Sequence, residues 1–198
     1  MTGRQLNGRL VGGRLVGGPP VKERPRGGPP VVLVRTEVFE DREAVWDVVA
    51  RAFGQSDEAD LVDALRTDAA WIPGFSVVGV GAGRVVGHAL LTRLPVGGAP
   101  ALALAPVAVA PEAQGSGVGS AMVGELLRRA SEAGERLVVV LGDPAYYGRF
   151  GFVPAGNLGV EGPFPEAGPA FQALAFGNPG SAPRGRVRYP APFGIADE

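Results

Sequence analysis

The stretch from Val107 to Ala130 constrains the fold more than any other part of this chain. A β-branched apolar run, Val107-Ala108-Val109-Ala110, stops at Pro111-Glu112 and gives way to Gln114-Gly115-Ser116-Gly117-Val118-Gly119-Ser120. A helix-compatible segment, Ala121 to Ala130, follows at once. Three glycines at alternate positions let the backbone turn tightly with its N–H groups pointing inward, and a helix behind them adds the positive end of its dipole. A strand, a glycine loop and a helix start in that order suit a diphosphate. A tight strand-to-helix turn with no ligand gives the same short pattern.

Spacing separates the candidate phosphate binders. A Walker loop ends in Gly-Lys-Ser/Thr, whereas Val118, Gly119 and Ser120 follow Gly117 and the chain has no lysine after Lys22. A dinucleotide fold requires Gly-x-Gly-x-x-Gly and an acidic ribose ligand roughly 20 residues on, and neither is met by Gly115, Gly117 and Gly119. A second block lies downstream. The run Leu137 to Leu141 reads as a strand, and Gly142-Asp143-Pro144-Ala145-Tyr146-Tyr147-Gly148-Arg149-Phe150-Gly151-Phe152 follows it.

Together the two blocks resemble the GNAT superfamily of N-acetyltransferases. Gln114-x-x-Gly117-x-Gly119 fills every defining position of that superfamily's coenzyme A loop, Gln/Arg-x-x-Gly-x-Gly/Ala, and Tyr147 falls on the tyrosine of its Tyr-x-x-x-Gly-Phe segment. The wording Gly-Asp-Pro-x-Tyr-Tyr-x-Arg-Phe-Gly-Phe and the late Gly185-Arg186-Val187-Arg188-Tyr189-Pro190 resemble one bacterial branch of N-acetyltransferases. The likeness spans about residues 31 to 193, and the two blocks carry nearly all its specificity.

The resemblance implies an α/β fold of α+β type: a mixed, mostly antiparallel central sheet flanked by helices, with a V-shaped split between its fourth and fifth strands. It implies acetyl-CoA as cosubstrate, bound by Val107, Ala108 and Val109 of the fourth strand, by Gln114, Gly115, Ser116, Gly117, Val118, Gly119 and Ser120 of the loop, and by Asp143 and Tyr146. Pro106 has no N–H, so the amides of Val107 and Val109 are the donors expected to meet the pantetheine arm. Tyr147 is the expected general acid, since a phenol with an ordinary pKa near about 10 holds a proton at neutral pH. Tyr146 is its rival, because neighbours on a helix point about 100° apart. Asp143 stands where many relatives have asparagine, and a helix cap is its alternative role.

The general base has no obvious owner. Many relatives carry a glutamate on the fourth strand, but Ala101 to Val109 contains no ionisable residue. Glu58 is the base candidate carried forward, with Asp60 and His88 as rivals. Acidic residues in a first helical turn also favour the helix dipole, and a lone histidine also serves as a structural side chain. The expected function is acetyl transfer to a primary amine of a small molecule or a protein by direct attack on the thioester. The alternative is a module that binds an acyl-CoA without turnover and acts in regulation or assembly.

Composition bounds the rest. At 198 residues with 45% hydrophobic side chains and a formal net charge of −1, the chain can bury a substantial core and advertises no nucleic-acid partner. It has no cysteine and one histidine, which excludes thiolate sites and makes a metal centre unexpected. No apolar run reaches the roughly 18 residues of a membrane span, and no signal peptide is apparent, so a cytoplasmic protein is expected. The resemblance also allows a homodimer.

Residues 1 to 30 read as a separate basic extension, expected to be disordered, ahead of one domain at 31–198. Six basic side chains stand there against Glu23 alone, Gly8-Arg9-Leu10-Val11-Gly12 recurs as Gly13-Arg14-Leu15-Val16-Gly17, and two Pro-Pro pairs interrupt it. From Val31 onward, alternation predicts a strand at 31–36, helices at 41–53 and 56–65 capped by Asp41 and Ser56, and a hairpin at 75–80 and 84–94. It then predicts a strand at 102–109, the loop and helix at 115–134, and a strand at 136–141. A short helix near 145–150, late strands near Phe152 and at 171–176, and a long connection from Pro154 to Pro169 complete the reading.

Overall fold

A computed structural model describes residues 32–195, together with the backbone of 10–11 and 14–15, which pair antiparallel. The expected extension at 1–30 otherwise lies outside the described residues.

A seven-stranded sheet forms the centre. Its strands are β1 (Leu33–Thr36), β2 (Ser76–Gly81), β3 (Arg84–Val96), β4 (Ala99–Val109), β5 (Leu137–Leu141), β6 (Val153–Pro154) and β8 (Phe171–Ala175); the short β7 (Val160–Glu161) and β9 (Gly185–Arg186) pair apart from it. The order is β1-β2-β3-β4-β5-β8-β6, antiparallel everywhere except between β4 and β5. β3 and β4 form a long hairpin across Gly97-Gly98, both with positive φ. Its register slips opposite Leu90, where β4 inserts Ala105 and Pro106. This bulge bends β4 away from its neighbour.

The parallel contact between β4 and β5 is short. Only Leu102 with Val138 and Ala103 with Val139 pair, and beyond them the strands part, so the sheet is split toward its carboxyl ends. Helix α3 (Val118–Glu132) packs on one face, burying Met122, Val123, Leu126 and Ala130 against Val77, Ala89, Leu91, Leu102 and Leu104. Helices α1 (Arg42–Phe53) and α2 (Asp57–Leu65) cover the other. Val45, Val48 and Val49 recur at helical spacing and meet Val78 and Ala108, while Leu61 and Leu65 meet Leu90 and Ala105. Each such aliphatic side chain removed from water contributes roughly 1.5–3 kcal/mol before chain entropy is subtracted.

Two expected caps differ. The Asp41 carboxylate turns back to accept from Val38 N–H at 2.9 Å and Arg35 at 2.5 and 2.8 Å, because a 3-10 turn at Phe39–Asp41 precedes α1. Ser56 donates its hydroxyl to Asp60 at 3.1 Å instead of accepting a helix N–H. Asp143 does cap α4 (Pro144–Tyr147), accepting from Ala145 N–H at 2.8 Å. The connection after Pro154 holds two 3-10 turns, at 155–158 and 165–170, with β7 between them. The chain end returns across the sheet: Val187 bridges Val96, and Phe193 lodges with Leu61, Leu65, Leu90 and Ala105. Among the described residues, no helix is long and apolar enough to cross a membrane.

Candidate active site

The split and the glycine loop meet at one end of the sheet. Ala110 N–H bonds to Val86 O at 2.9 Å, so even-numbered amides in this part of β4 face β3; strand alternation therefore turns the amides of Val107 and Val109 to the split. The Gln114 side chain confirms the direction, because its Nε2 donates to Val109 O at 3.1 Å from that free side and ties the loop back to the strand. Ser116 tightens the turn by donating to Ala113 O at 2.5 Å. Gly115 and Gly117 have φ of 74° and 92°, a left-handed conformation that a β-carbon strains, so glycine is needed there for backbone reasons.

Gly117 opens α3, whose first intrahelical bond runs from Ala121 N–H to Gly117 O at 2.9 Å. The amides of Val118, Gly119 and Ser120 precede that bond and point out of the helix start, the arrangement that accepts an anion. Glu112 is turned away, paired with Arg51 at 2.7 Å on the surface.

Gly119 is small for a different reason. A β-carbon there would lie 2.8 Å from the Tyr146 hydroxyl and 3.4 Å from Val109 Cγ2. Tyr146 thus reaches from α4 to the loop, and Arg149 stacks on its ring at 4.1 Å. Tyr147 points elsewhere. Its ring covers the α-carbon of Gly142, where an added β-carbon would come within 2.4 Å, and meets Phe152 edge to face at 5.8 Å. Burial, followed by the proximity of Tyr146, raises the Tyr147 pKa, so its phenol stays protonated. No described residue is its hydrogen-bond partner.

On the opposite face, α2 presents Glu58, which is 2% exposed. It shares its helix face with Leu61, Val62 and Leu65, which lie against β3 and β4, and Gln55 holds its two oxygens at 3.2 and 3.1 Å. Asp60 faces outward, accepting from Trp46 at 3.2 Å and from Ser56. Neither rival base is placed like Glu58. His88 is fully buried, its Nε2 2.9 Å from Ser76 Oγ and 3.4 Å from Glu37 Oε2, and burial lowers its pKa so that the ring is neutral.

That histidine belongs to a buried polar chain with no sequence motif. Glu37 accepts from Arg66 Nε at 2.9 Å and Nη2 at 2.6 Å, Ser76 donates to the same carboxylate, and Arg66 also holds Asp63. Burial pushes the Glu37 pKa up; the bonds from His88 and Ser76 and the Arg66 charge outweigh it and hold the carboxyl at about 2. Among the described residues, no cluster of acidic, histidine or cysteine side chains could hold a metal ion.

Known proteins share this fold. The model of the acetyltransferase (GNAT) domain matches residues 34–155. The uncharacterized N-acetyltransferase YjhQ of Escherichia coli K12 is 41% identical over 130 residues, 63% of this chain and 72% of that protein. YhbS, a second uncharacterized N-acetyltransferase of that strain, is 34% identical over 147 residues, 71% of this chain and 85% of its own. The crystal structure of Escherichia coli YhbS in complex with CoA superposes with a TM-score of 0.77 at 29% identity, covering 87% of this chain and 96% of that one. A GNAT family acetyltransferase from Brucella melitensis in complex with acetyl-CoA gives 0.68 at 34% identity, covering 82% and 97%. With the domain model matched over more than half of its length and a relative 34% identical over 71% of it, the chain belongs to the GNAT family of acetyltransferases.

Proposed function

We propose that the protein is an acetyl-CoA-dependent N-acetyltransferase that acylates a primary amine, with its catalytic domain at 31–198. The observation that carries this reading is the split between β4 and β5, with the outward-facing amides of Val107 and Val109 along it and those of Val118 to Ser120 at the start of α3 beyond it. CoA and acetyl-CoA in the YhbS and Brucella melitensis structures support it.

In this reading, the loop amides hold the diphosphate and the Ser120 hydroxyl adds a donor. Val107 and Val109 N–H groups align the pantetheine arm as an extra strand would. Ala108 faces the core beneath them, so its contribution is shape. Asp143 keeps α4 in place through its cap, with its second carboxylate oxygen left for a contact with the cosubstrate.

Glu58 takes a proton from the incoming ammonium, directly or through water, leaving a neutral amine. The amine nitrogen attacks the thioester carbonyl carbon; the C–N bond forms as the C–S bond breaks. Tyr147 delivers its phenolic proton to the departing sulfur, and the nitrogen, which carries one proton too many once the C–N bond has formed, gives it up through water to the tyrosinate. The absence of an acid from β4 favours the alternative of binding without turnover; the buried Glu58 carboxylate on α2 is what supports turnover. A cytoplasmic location is the default that goes with this reading, and the family resemblance allows a homodimer.

The test is Tyr147→Phe, assayed by thiol release from saturating acetyl-CoA over a panel of amines, polyamines, amino acids, aminoglycosides and peptides. Coenzyme A affinity stays unchanged and turnover falls about 10²–10⁴-fold, the range of general acid–base contributions, while Tyr146→Phe is milder. Full activity in Tyr147→Phe with chemistry rate-limiting refutes the acid role. Thiol release with no amine in the panel leaves the binding module as the reading.

A further inference from the structure

The glycine loop has to hold a strongly anionic molecule without a cation of its own. Coenzyme A carries two charges on its diphosphate and close to two on its 3′-phosphate. From Gln114 to Ser120 there is no lysine or arginine, and where the family pattern allows arginine this chain has Gln114, whose amide is engaged with Val109 O. Backbone amides and a helix dipole supply partial charges only. Arg51 is committed to Glu112 and Asp47, at 2.7 and 3.2 Å, and Arg84 acts on the same Glu112.

Arg149 is different. Its Nε donates to Tyr146 O at 2.8 Å, and its guanidinium lies 4.1 Å from the Tyr146 ring centre and 5.6 Å from that of Phe150. It pairs with no carboxylate among the described residues. The Tyr146 ring that carries it ends with its hydroxyl against Gly119, so a chain of contacts runs from the first turn of α3 through the phenol to an unpaired cation. The arginine therefore lies on the face of a ring whose hydroxyl end touches the first turn of α3, where the amides that would take the diphosphate begin. Stacking fixes the guanidinium plane and leaves its edge N–H groups free to fork onto phosphate oxygens.

We propose that Arg149, held by Tyr146, is the residue that binds the 3′-phosphate of coenzyme A and selects it over the dephosphorylated form. This rests on the acetyl-CoA reading above. Tyr146 is the positioning residue, and Gly119 is the gap that admits its hydroxyl.

The test is calorimetric titration of the full chain, and of Arg149→Gln and Tyr146→Ala, with coenzyme A and with 3′-dephospho-coenzyme A at about 20 and 300 mM salt. The wild type should prefer coenzyme A by roughly two- to fivefold at low salt, as expected for an exposed charge pair, and less at high salt. Arg149→Gln should lose that preference while binding the dephosphorylated ligand as the wild type does. Tyr146→Ala should lose it too, though Arg149 is intact. Equal weakening for both ligands in Arg149→Gln, or a wild type without preference, overturns the assignment to the 3′-phosphate. Failure of the wild type to bind either ligand instead overturns the cosubstrate reading beneath it, and the assignment with it.

Discussion

Gly142→Ala tests how tightly the end of β5 fixes the proposed acid. Gly142 has an ordinary backbone conformation, so a methyl group is excluded only by what it meets. The added carbon would lie 2.4 Å from Tyr147 Cε2, 3.0 Å from Cδ2 and 3.4 Å from Cζ. Ordinary carbon contacts are about 3.5–4.0 Å, so the ring has to retreat by about 1 Å. Phe152 and Tyr146, with ring centres 5.8 and 4.9 Å away, stand around it. Overpacking of this kind costs about 1–3 kcal/mol, and a chain of this size loses roughly 2–4 °C per kcal/mol, giving a fall in Tm of about 2–12 °C. A phenol displaced by about 1 Å also slows transfer by up to about 10²-fold. The assay is a double-mutant cycle in thermal and urea unfolding. Once Tyr147→Ala has removed the ring, adding Gly142→Ala should cost almost nothing, a coupling of about 1–3 kcal/mol. Additive losses, or a single variant as stable as the wild type, would show that the ring does not bear on Gly142.

Glu58→Gln keeps the Gln55 contact and the buried volume, so the fold should survive while acetyl transfer slows by about 10²-fold or more near neutral pH; rates equal to the wild type remove Glu58 from the mechanism. In Gly117→Val the side chain finds open space but the φ of 92° is strained, which costs about 1–3 kcal/mol and distorts the amides around it. Calorimetry should show weakened coenzyme A binding by a folded protein, and unchanged affinity would count against the loop. The Glu37 carboxyl is depressed to about 2 from an unfolded value near about 4.3, so its stabilisation is complete above pH ~4.5 and lost as pH falls toward 2. His88 acts in the same direction from a higher pH: its folded pKa lies below the unfolded value near about 6.5, so its contribution declines below that pH. Glu37→Gln should flatten the lower part of that decline and, by leaving Arg66 with the exposed Asp63 as its remaining carboxylate, cost up to about 3 kcal/mol at pH 7, measured by urea unfolding.

What the sequence disclosed was local or periodic. The helix faces of α1, α2 and α3 follow from apolar spacing, and the loop follows from glycine spacing, because each depends on residues a few positions apart. The Asp143 cap was equally legible, since its acceptor and donor are two residues apart. The Asp41 and Ser56 caps were not. Both side chains found competing partners, in Arg35 and Asp60, that propensity alone does not rank. The Glu37, Ser76, His88 and Arg66 chain joins positions 12 to 39 residues apart and exists only because β1, β2 and β3 lie side by side beneath α2. Gly119 and Gly142 look like loop glycines in the sequence, yet each is a seat for a tyrosine of α4 that only the tertiary contact reveals.

The two residue pairs that join β4 to β5 set how the backbone meets solvent. Leu102, Ala103, Val138 and Val139 are at most 1% exposed, and the sheet's continuity from one half to the other passes through them alone. Past them, neighbouring amides of one strand live in different worlds. Those of Ala108 and Ala110 are sealed against β3, while those of Val107 and Val109 open on the gap. Deuterium should therefore enter the end of β4 past the bulge in alternation, fast at Val107 and Val109 and slow at Ala108 and Ala110. A ligand arm seated in the gap would erase the alternation, turning the edge of half a sheet into the interior of a whole one.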